Sequence, residues 1–180
     1  MAAVARILIV GGGCRGRRLA SEMVGAGHVL RVTTRTEDHR EAIEATGAEC
    51  WVGTPDRLGT LRSALENVTI ACWLLGCATG QREQVRALSS SRLEAFVRQL
   101  IDTTVRGLIY EAAGTVPSRD LLAGARTAGA LGEQNAIPVA TLTTDPRNGD
   151  AWLGGARAAV GSLLESSERG HHRAGRRSVG

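Results

Sequence analysis

Three glycines near the start of the chain have the spacing of a phosphate-binding turn. Gly11, Gly13 and Gly16 form a G-x-G-x-x-G pattern directly after the four apolar residues 7–10 and before a helix-like run, 17–26. In a strand–turn–helix context this pattern is typical of a dinucleotide site. The first glycine permits the turn, the second lets backbone approach a pyrophosphate, and the third lets the helix pack on the strand. The alternative is a glycine-rich turn that binds nothing.

The residues after the second apolar run indicate which dinucleotide would bind. NAD-binding proteins place an Asp or Glu about 20 residues beyond the glycines, where it accepts from the ribose 2′-hydroxyl. Here residues 33–36 read Thr-Thr-Arg-Thr, without a carboxylate. Arg35, Arg15 inside the turn and the hydroxyl of Thr34 suit a 2′-phosphate instead. We therefore predict that the site binds NADP rather than NAD. Cys14 would be a small residue beside the pyrophosphate. The alternative for Arg35 is a side chain at the end of the strand that faces solvent and binds no phosphate.

Six strand-like runs alternate with helical runs and would position these residues. The predicted strands are 6–10, 29–34, 49–52, 68–75, 107–111 and 137–142, and the predicted helices are 17–26, 37–46, 55–66, 81–104, 118–135 and 148–164. The serines at 89–91 could bend or interrupt the long helix. Strict alternation predicts a single α/β domain, residues 1–165, with a doubly wound parallel sheet in the order 3-2-1-4-5-6. Ligand would then bind at the carboxyl ends of strands one and four.

Composition excludes several classes of protein. Net charge is +4, and the last fifteen residues contribute +3 of it from four arginines and one glutamate. Residues 166–180 therefore read as a disordered basic tail, and the remaining body gives little support for nucleic-acid binding. The four cysteines form no C-x-x-C pair, which disfavours a disulfide framework or a metal site. No apolar run reaches about 18 residues, so we expect a soluble cytoplasmic protein without a membrane partner.

The pattern over residues 6 to about 145 resembles an atypical member of the short-chain dehydrogenase/reductase superfamily, near the NAD-dependent epimerase and NmrA-like group. In that family an Asp after strand three meets the adenine, and the loop after strand four covers the adenine ribose. The resemblance therefore assigns Asp56 to the first role and Leu75 and Gly76 to the second. Asp56 could equally cap the following helix. The resemblance also makes the helix over residues 81–104 a candidate homodimer surface.

The catalytic pattern of that family is missing. Its active members use a Tyr-x-x-x-Lys pair with a Ser or Thr after strand five, whereas Tyr110 is followed by Gly114 and the chain has no lysine. We predict that Tyr110 lies in the core. Thr115 and Ser118 lie near the family's Ser position. We predict that their hydroxyls instead form hydrogen bonds in the turn and at the start of the following helix. Glu111 reads as a strand-end carboxylate facing water, with a buried acid near the nicotinamide as the alternative.

Two functions follow from these patterns. The first is a nucleotide-binding or sensor module that responds to NADP(H) without reductase chemistry, because the fingerprint is complete while the Tyr/Lys pair is missing. The second is a small NADPH-dependent oxidoreductase or epimerase-like enzyme with non-standard catalytic residues, which the family resemblance alone suggests.

Overall fold

The computed structural model describes residues 4–11 and 13–175, and for residues 168–175 it describes the backbone only. The strands are β1 (Arg6–Val10), β2 (Val29–Thr34), β3 (Glu49–Val52), β4 (Ile70–Trp73), β5 (Gly107–Glu111) and β6 (Val139–Leu142). The α-helices are α1 (Cys14–Gly25), α2 (Arg40–Glu44), α3 (Gly59–Arg62), α4 (Arg82–Ala87), α5 (Ser91–Leu100), α6 (Ser118–Gln134) and α7 (Gly149–Gly175). Short 3-10 helices cover Glu37–His39 and Ser63–Leu65.

The six strands form one parallel sheet in the order β3-β2-β1-β4-β5-β6, which confirms the predicted topology. All five strand pairs are parallel, and β1 lies between β2 and β4. Strand order reverses between β1 and β4, because the chain leaves β1 toward β2 and β3 and later returns to the other side. This reversal opens a crevice at the carboxyl ends of β1 and β4, where doubly wound proteins bind ligands.

Each face of the sheet carries its own apolar core. On one face, Ile7 and Ile9 of β1 pack with helices α1, α2 and α7. On the other face, Leu8 and Val10 pack with helices α3, α5 and α6. Because successive side chains of a strand point to opposite faces, a strand covered on both sides must be apolar throughout. This requirement explains why β4 and the part of β1 after Arg6 are apolar without interruption.

Several predicted helices are shorter than their apolar patterns indicate. The helix expected at 55–66 begins only at Gly59, because the preceding loop is closed by hydrogen bonds of threonine hydroxyls. The Thr54 amide donates to Thr60 Oγ1 at 2.9 Å, and Thr60 Oγ1 donates to the Arg57 carbonyl at 2.6 Å. Such side-chain bonds compete with helical backbone bonds.

The long helix expected at 81–104 is divided into α4 and α5, at the serines where the sequence allowed an interruption. The apolar face of α5 lies in the chain's own core. Dimerisation through this segment stays a prediction.

Helix α7 extends further than the sequence predicts. Its expected end was Leu164, but its backbone stays helical to Gly175. Loss of apolar periodicity after residue 165 removed the amphipathic signal, whereas the residues there include no proline that would end a helix. Residues 176–180 of the expected tail lie outside the described residues, and a domain boundary at residue 165 stays a prediction.

Candidate dinucleotide site

Two cavities lie at the carboxyl edge of the sheet, next to the reversal of strand order. The first has a volume of about 540 Å³ and is lined by residues that follow β1, β2 and β3. The second has a volume of about 740 Å³ and is lined by residues that follow β4, β5 and β6. Leu75 lines the first cavity and Cys77 the second, so the loop after β4 lies between them. Gly76, at the centre of that loop, cannot carry a side chain because a Cβ would collide with the Ala113 carbonyl.

The three glycines of the turn have different surroundings. Gly11 has φ of +118°, and a Cβ there would meet the carbonyl oxygen of Leu74. A Cβ on Gly16 would meet the Gly11 carbonyl oxygen, so this glycine lets α1 pack against the turn. Gly13 has no atom within 4 Å of a Cβ position and lines the first cavity. The structure therefore gives Gly11 and Gly16 folding roles, whereas Gly13 keeps the cavity open.

The N-terminus of α1 lies at this cavity, because Gly13 and Cys14 both line it. Helix α1 begins at Cys14, and its first intrahelical bond runs from the Arg17 amide to the Gly13 carbonyl at 3.0 Å. The amides of the first turn have no acceptor within a helix and carry its positive dipole end. Cys14 is exposed and also lines the cavity. An anionic group bound over Gly13 would therefore meet backbone donors and a favourable potential.

The end of β2 supplies the polar wall of the first cavity. Four consecutive residues line it: Thr33, Thr34, Arg35 and Thr36. Arg17 of α1 lines it as well, and so does His39. Among the described residues, none of those lining this cavity is an Asp or a Glu. The Arg35 side chain is 60% exposed, which leaves its guanidinium accessible to a ligand.

Arg15 does not share this cavity with Arg35, contrary to the expected pairing at one phosphate. It lines the second cavity, and its Nη2 lies 3.4 Å from Glu111 Oε1. Its guanidinium also lies 5.5 Å from the ring centroid of Trp152, within cation–π range. Arg17, two residues further along α1, occupies the first cavity instead. The two side chains point to opposite sides because successive helix residues differ in direction by about 100°, and two positions therefore give about 200°.

Asp56 lies beside the first cavity and not in its lining. Pro55, the preceding residue, lines the cavity. The Asp56 carboxylate lies 3.9 Å from Arg35 Nη2 and 3.6 Å from Arg92 Nε. It does not cap α3, which begins three residues later at Gly59 and has no side-chain capping bond. In this structure Asp56 is therefore a partner of two arginines.

Glu111 is buried and contacts several elements of the fold. The expectation that it faces water is wrong. Its side chain is 0% exposed. Its Oε2 accepts from the Gly76 amide at 2.7 Å, and its Oε1 accepts from Trp152 Nε1 at 2.8 Å. Burial raises the pKa of this carboxyl, while Arg15 and the other donors oppose the increase. Glu111 thereby ties α1, the loop after β4 and α7 together behind the two cavities.

Tyr110 lies in the core, as predicted. It is 1% exposed, and burial raises the pKa of its hydroxyl. The hydroxyl makes no hydrogen bond of good geometry to the described residues. Thr115 and Ser118 both line the second cavity. Ser118 is the first residue of α6, but that helix has no side-chain capping bond, so the favoured cap role is not observed.

Comparisons with known proteins agree with this geometry at the level of fold. No family model matches the sequence, and no curated protein matches it. A protein called Pen from Bacillus thuringiensis superposes with a TM-score of 0.65 at 14% identity, over 78% of this chain and 50% of that one. A UDP-glucuronic acid 4-epimerase from Bacillus cereus, in complex with NAD, gives 0.60 at 10% identity over 76% and 55%.

A third match has the other dinucleotide. Citrobacter sp. triphenylmethane reductase, complexed with NADP(H), gives a TM-score of 0.60 at 15% identity, over 77% of this chain and 49% of that one. This chain thus spans about half the length of these solved structures. Its architecture is the Rossmann-like fold that these solved structures share, which confirms the expected resemblance for the fold. No helix among the described residues is long and apolar enough to span a membrane.

Proposed function

We propose that the chain binds NADP(H) in the first cavity. The observation that carries this proposal is the lining of the cavity: Gly13 leaves open space at the start of α1, Arg17 and Arg35 are present, and none of its described lining residues is acidic. A 2′-phosphate needs cationic donors, whereas the 2′-hydroxyl of NAD is usually held by a carboxylate. The reductase neighbour solved with NADP(H) supports the proposal, and the epimerase solved with NAD supports a dinucleotide in general.

The dinucleotide would extend along the carboxyl edge of the sheet. Its pyrophosphate would lie over Gly13 and Cys14. Its 2′-phosphate would contact the guanidinium of Arg35 and the hydroxyl of Thr34. The adenine would lie near Pro55. The nicotinamide would pass the loop at Leu75 and Gly76 and enter the second cavity, which Arg15 lines from α1.

A nucleotide-binding or sensor role, in the cytoplasm, is the form of this function that we favour. Tyr110 lies in the core, and the sequence has no lysine, so these groups cannot supply the family's usual proton donor. The alternative is a small NADPH-dependent oxidoreductase or epimerase-like enzyme with non-standard groups. The second cavity favours it, because the Thr115 and Ser118 hydroxyls line a space where a substrate could meet a nicotinamide. Turnover of NADPH with a panel of carbonyl compounds separates the two.

The cofactor proposal is tested by exchanging the charge at residue 35. Wild-type protein should bind NADPH more tightly than NADH, and Arg35→Asp should reverse the order. A charged hydrogen bond contributes about 1.5–3 kcal/mol, or roughly one to two decades of affinity. The preference should weaken with added salt, because the Arg35 side chain is largely exposed. Calorimetric titration of both cofactors at two salt concentrations measures these effects.

Arg126→Asp is a suitable control for that experiment. Arg126 is an exposed residue of α6, which packs on one face of the sheet and does not supply the first cavity. The same change of charge there should leave the ratio of NADPH to NADH affinity unchanged. Equal affinities for the two cofactors in the wild type would refute NADP selectivity. Identification by mass spectrometry of a nucleotide that co-purifies with the protein is an independent check.

A further inference from the structure

The Asp56 carboxylate is shared between two arginines that come from different parts of the fold. Arg35 follows β2 and lines the first cavity, whereas Arg92 belongs to the first turn of α5. Asp56 Oδ2 lies 3.9 Å from Arg35 Nη2, and Asp56 Oδ1 lies 3.6 Å from Arg92 Nε. The two oxygens of one carboxylate thus face one guanidinium each.

The two arginines are held to different extents. Arg92 is 29% exposed in its side chain, and its Nη1 donates to the Pro55 carbonyl at 2.9 Å. Its buried Nε has no hydrogen-bond partner among the described residues, so the nearby Asp56 oxygen supplies its electrostatic compensation. Arg35 is 60% exposed, and its distance to Asp56, 3.9 Å, is the longer of the two. Arg92 is therefore the fixed partner of Asp56, and Arg35 is the exchangeable one.

The Asp56 carboxylate is itself oriented by its loop. The Asp56 amide donates to Thr54 Oγ1 at 3.2 Å, and that hydroxyl lies 3.4 Å from Asp56 Oδ2. These local bonds hold the carboxylate beside the cavity wall, where it does not line the cavity but reaches Arg35. A ligand phosphate that recruits Arg35 must therefore take it from Asp56.

We propose that Asp56 limits the preference of the site for NADP by competing with the 2′-phosphate for Arg35. This inference rests on the proposed NADP(H) binding. Asp56 acts through Arg35 and is a positioning residue that makes no contact with the dinucleotide. Without a 2′-phosphate it holds Arg35. When NADP binds, Arg35 turns to the phosphate and Asp56 keeps Arg92 as its counterion.

This competition predicts opposite effects for the two ends of the cluster. Asp56→Asn removes the competing charge, so NADPH affinity should rise by about two- to fivefold, the range expected for a partly exposed ion pair. Arg92→Gln removes the fixed counterion and leaves Asp56 to Arg35 alone, so NADPH affinity should fall by a similar factor. NADH affinity should change little in Asp56→Asn, because NADH has no 2′-phosphate. In Arg92→Gln the lost bond to Pro55 affects both cofactors alike, so there the ratio of NADPH to NADH affinity is the measure of competition.

The experiment titrates NADPH and NADH into the full chain and both variants, with Asp56→Asn repeated in an Arg35→Gln background. The increase should vanish in that background, because the residue for which Asp56 competes is missing. Circular dichroism and thermal unfolding confirm that each variant is folded. Asp38→Asn is the control: it removes a nearby carboxylate that lies 2.9 Å from the Thr36 hydroxyl and has no arginine within ion-pair distance among the described residues.

Each outcome decides between explanations. Opposite changes of the two variants in the ratio of NADPH to NADH affinity support competition. Equal losses for NADPH and NADH in Asp56→Asn would overturn it and would indicate a direct contact with the adenine. Loss of NADPH affinity in both variants would overturn it and would indicate a purely structural cluster. NADPH selectivity in the wild type with no change in Asp56→Asn overturns the inference alone, whereas absence of binding by either cofactor overturns the proposed function as well.

Discussion

Gly13 differs from the other two glycines of the turn, because the space where its side chain would be is open. Gly13→Val should therefore leave the sheet folded and place an isopropyl group in the first cavity. A pyrophosphate displaced from the amides of α1 should lose at least about 3 kcal/mol, or roughly two decades of affinity. Calorimetry with NADPH measures this loss, and thermal unfolding checks the fold.

Gly16→Val is the informative comparison. A Cβ at residue 16 would collide with the Gly11 carbonyl, so this variant should lose stability as well as binding. Unchanged NADPH affinity in Gly13→Val would mean that the glycine turn does not hold the phosphates.

Tyr110 offers a second test at the scale of a single residue. Tyr110→Phe removes a buried hydroxyl that makes no well-formed hydrogen bond to the described residues. A buried polar group without a partner costs free energy. The free energy of unfolding of the variant should therefore exceed that of wild type, by no more than about 1 kcal/mol. Any NADPH turnover should survive the change. A loss of turnover by orders of magnitude in a folded variant would place Tyr110 in an active site.

Among the elements, the strands could be predicted from the sequence and the helix ends could not. Runs such as 7–10 and 108–110 are apolar throughout, and a parallel strand buried on both faces requires that pattern. Helix ends depend on single hydrogen bonds, such as those of Thr54 and Thr60, which an apolar period does not report. The sequence thus predicts the order of the sheet and the position of the glycine turn.

The side-chain contacts of the site were beyond sequence reasoning for a different reason. Glu111 meets Gly76 and Trp152, which are 35 and 41 residues away along the chain. No spacing rule connects such positions, because they come together only when β5, the loop after β4 and α7 are packed. A signal was present in the sequence: Glu111 directly follows the apolar residues 108–110, a run typical of a strand buried on both faces. A carboxylate at the end of such a strand, at the ligand edge of the sheet, is a candidate for a buried acid.

At the scale of the whole molecule, Glu111 joins elements from both sides of the crevice, and its titration should be visible in global stability. Its pKa in the folded chain lies above the ordinary glutamate value of 4.5, mainly because of burial. Below pH 4.5 the carboxyl is protonated in both the folded and the unfolded chain, and the contribution of the neutral acid to the free energy of unfolding is fully present. As pH rises through the folded pKa, the folded state must ionise a buried group. The contribution is then lost, at about 1.4 kcal/mol for each unit of pKa difference.

Comparison of wild type with Glu111→Gln isolates this effect. The free energy of unfolding of wild type minus that of the variant should decrease as pH rises above 4.5, because glutamine does not titrate. Glu37→Gln should give the opposite slope, since a hydrogen bond from Arg40 lowers the pKa of Glu37 and its contribution is lost as pH falls. Urea unfolding at intervals from about pH 2 to 8 supplies both curves, since the Glu37 contribution changes below 4.5 and the Glu111 contribution above it. A difference for Glu111→Gln that rises with pH would show that the donors around this carboxylate outweigh its burial, and that the charged form is the one the fold stabilises.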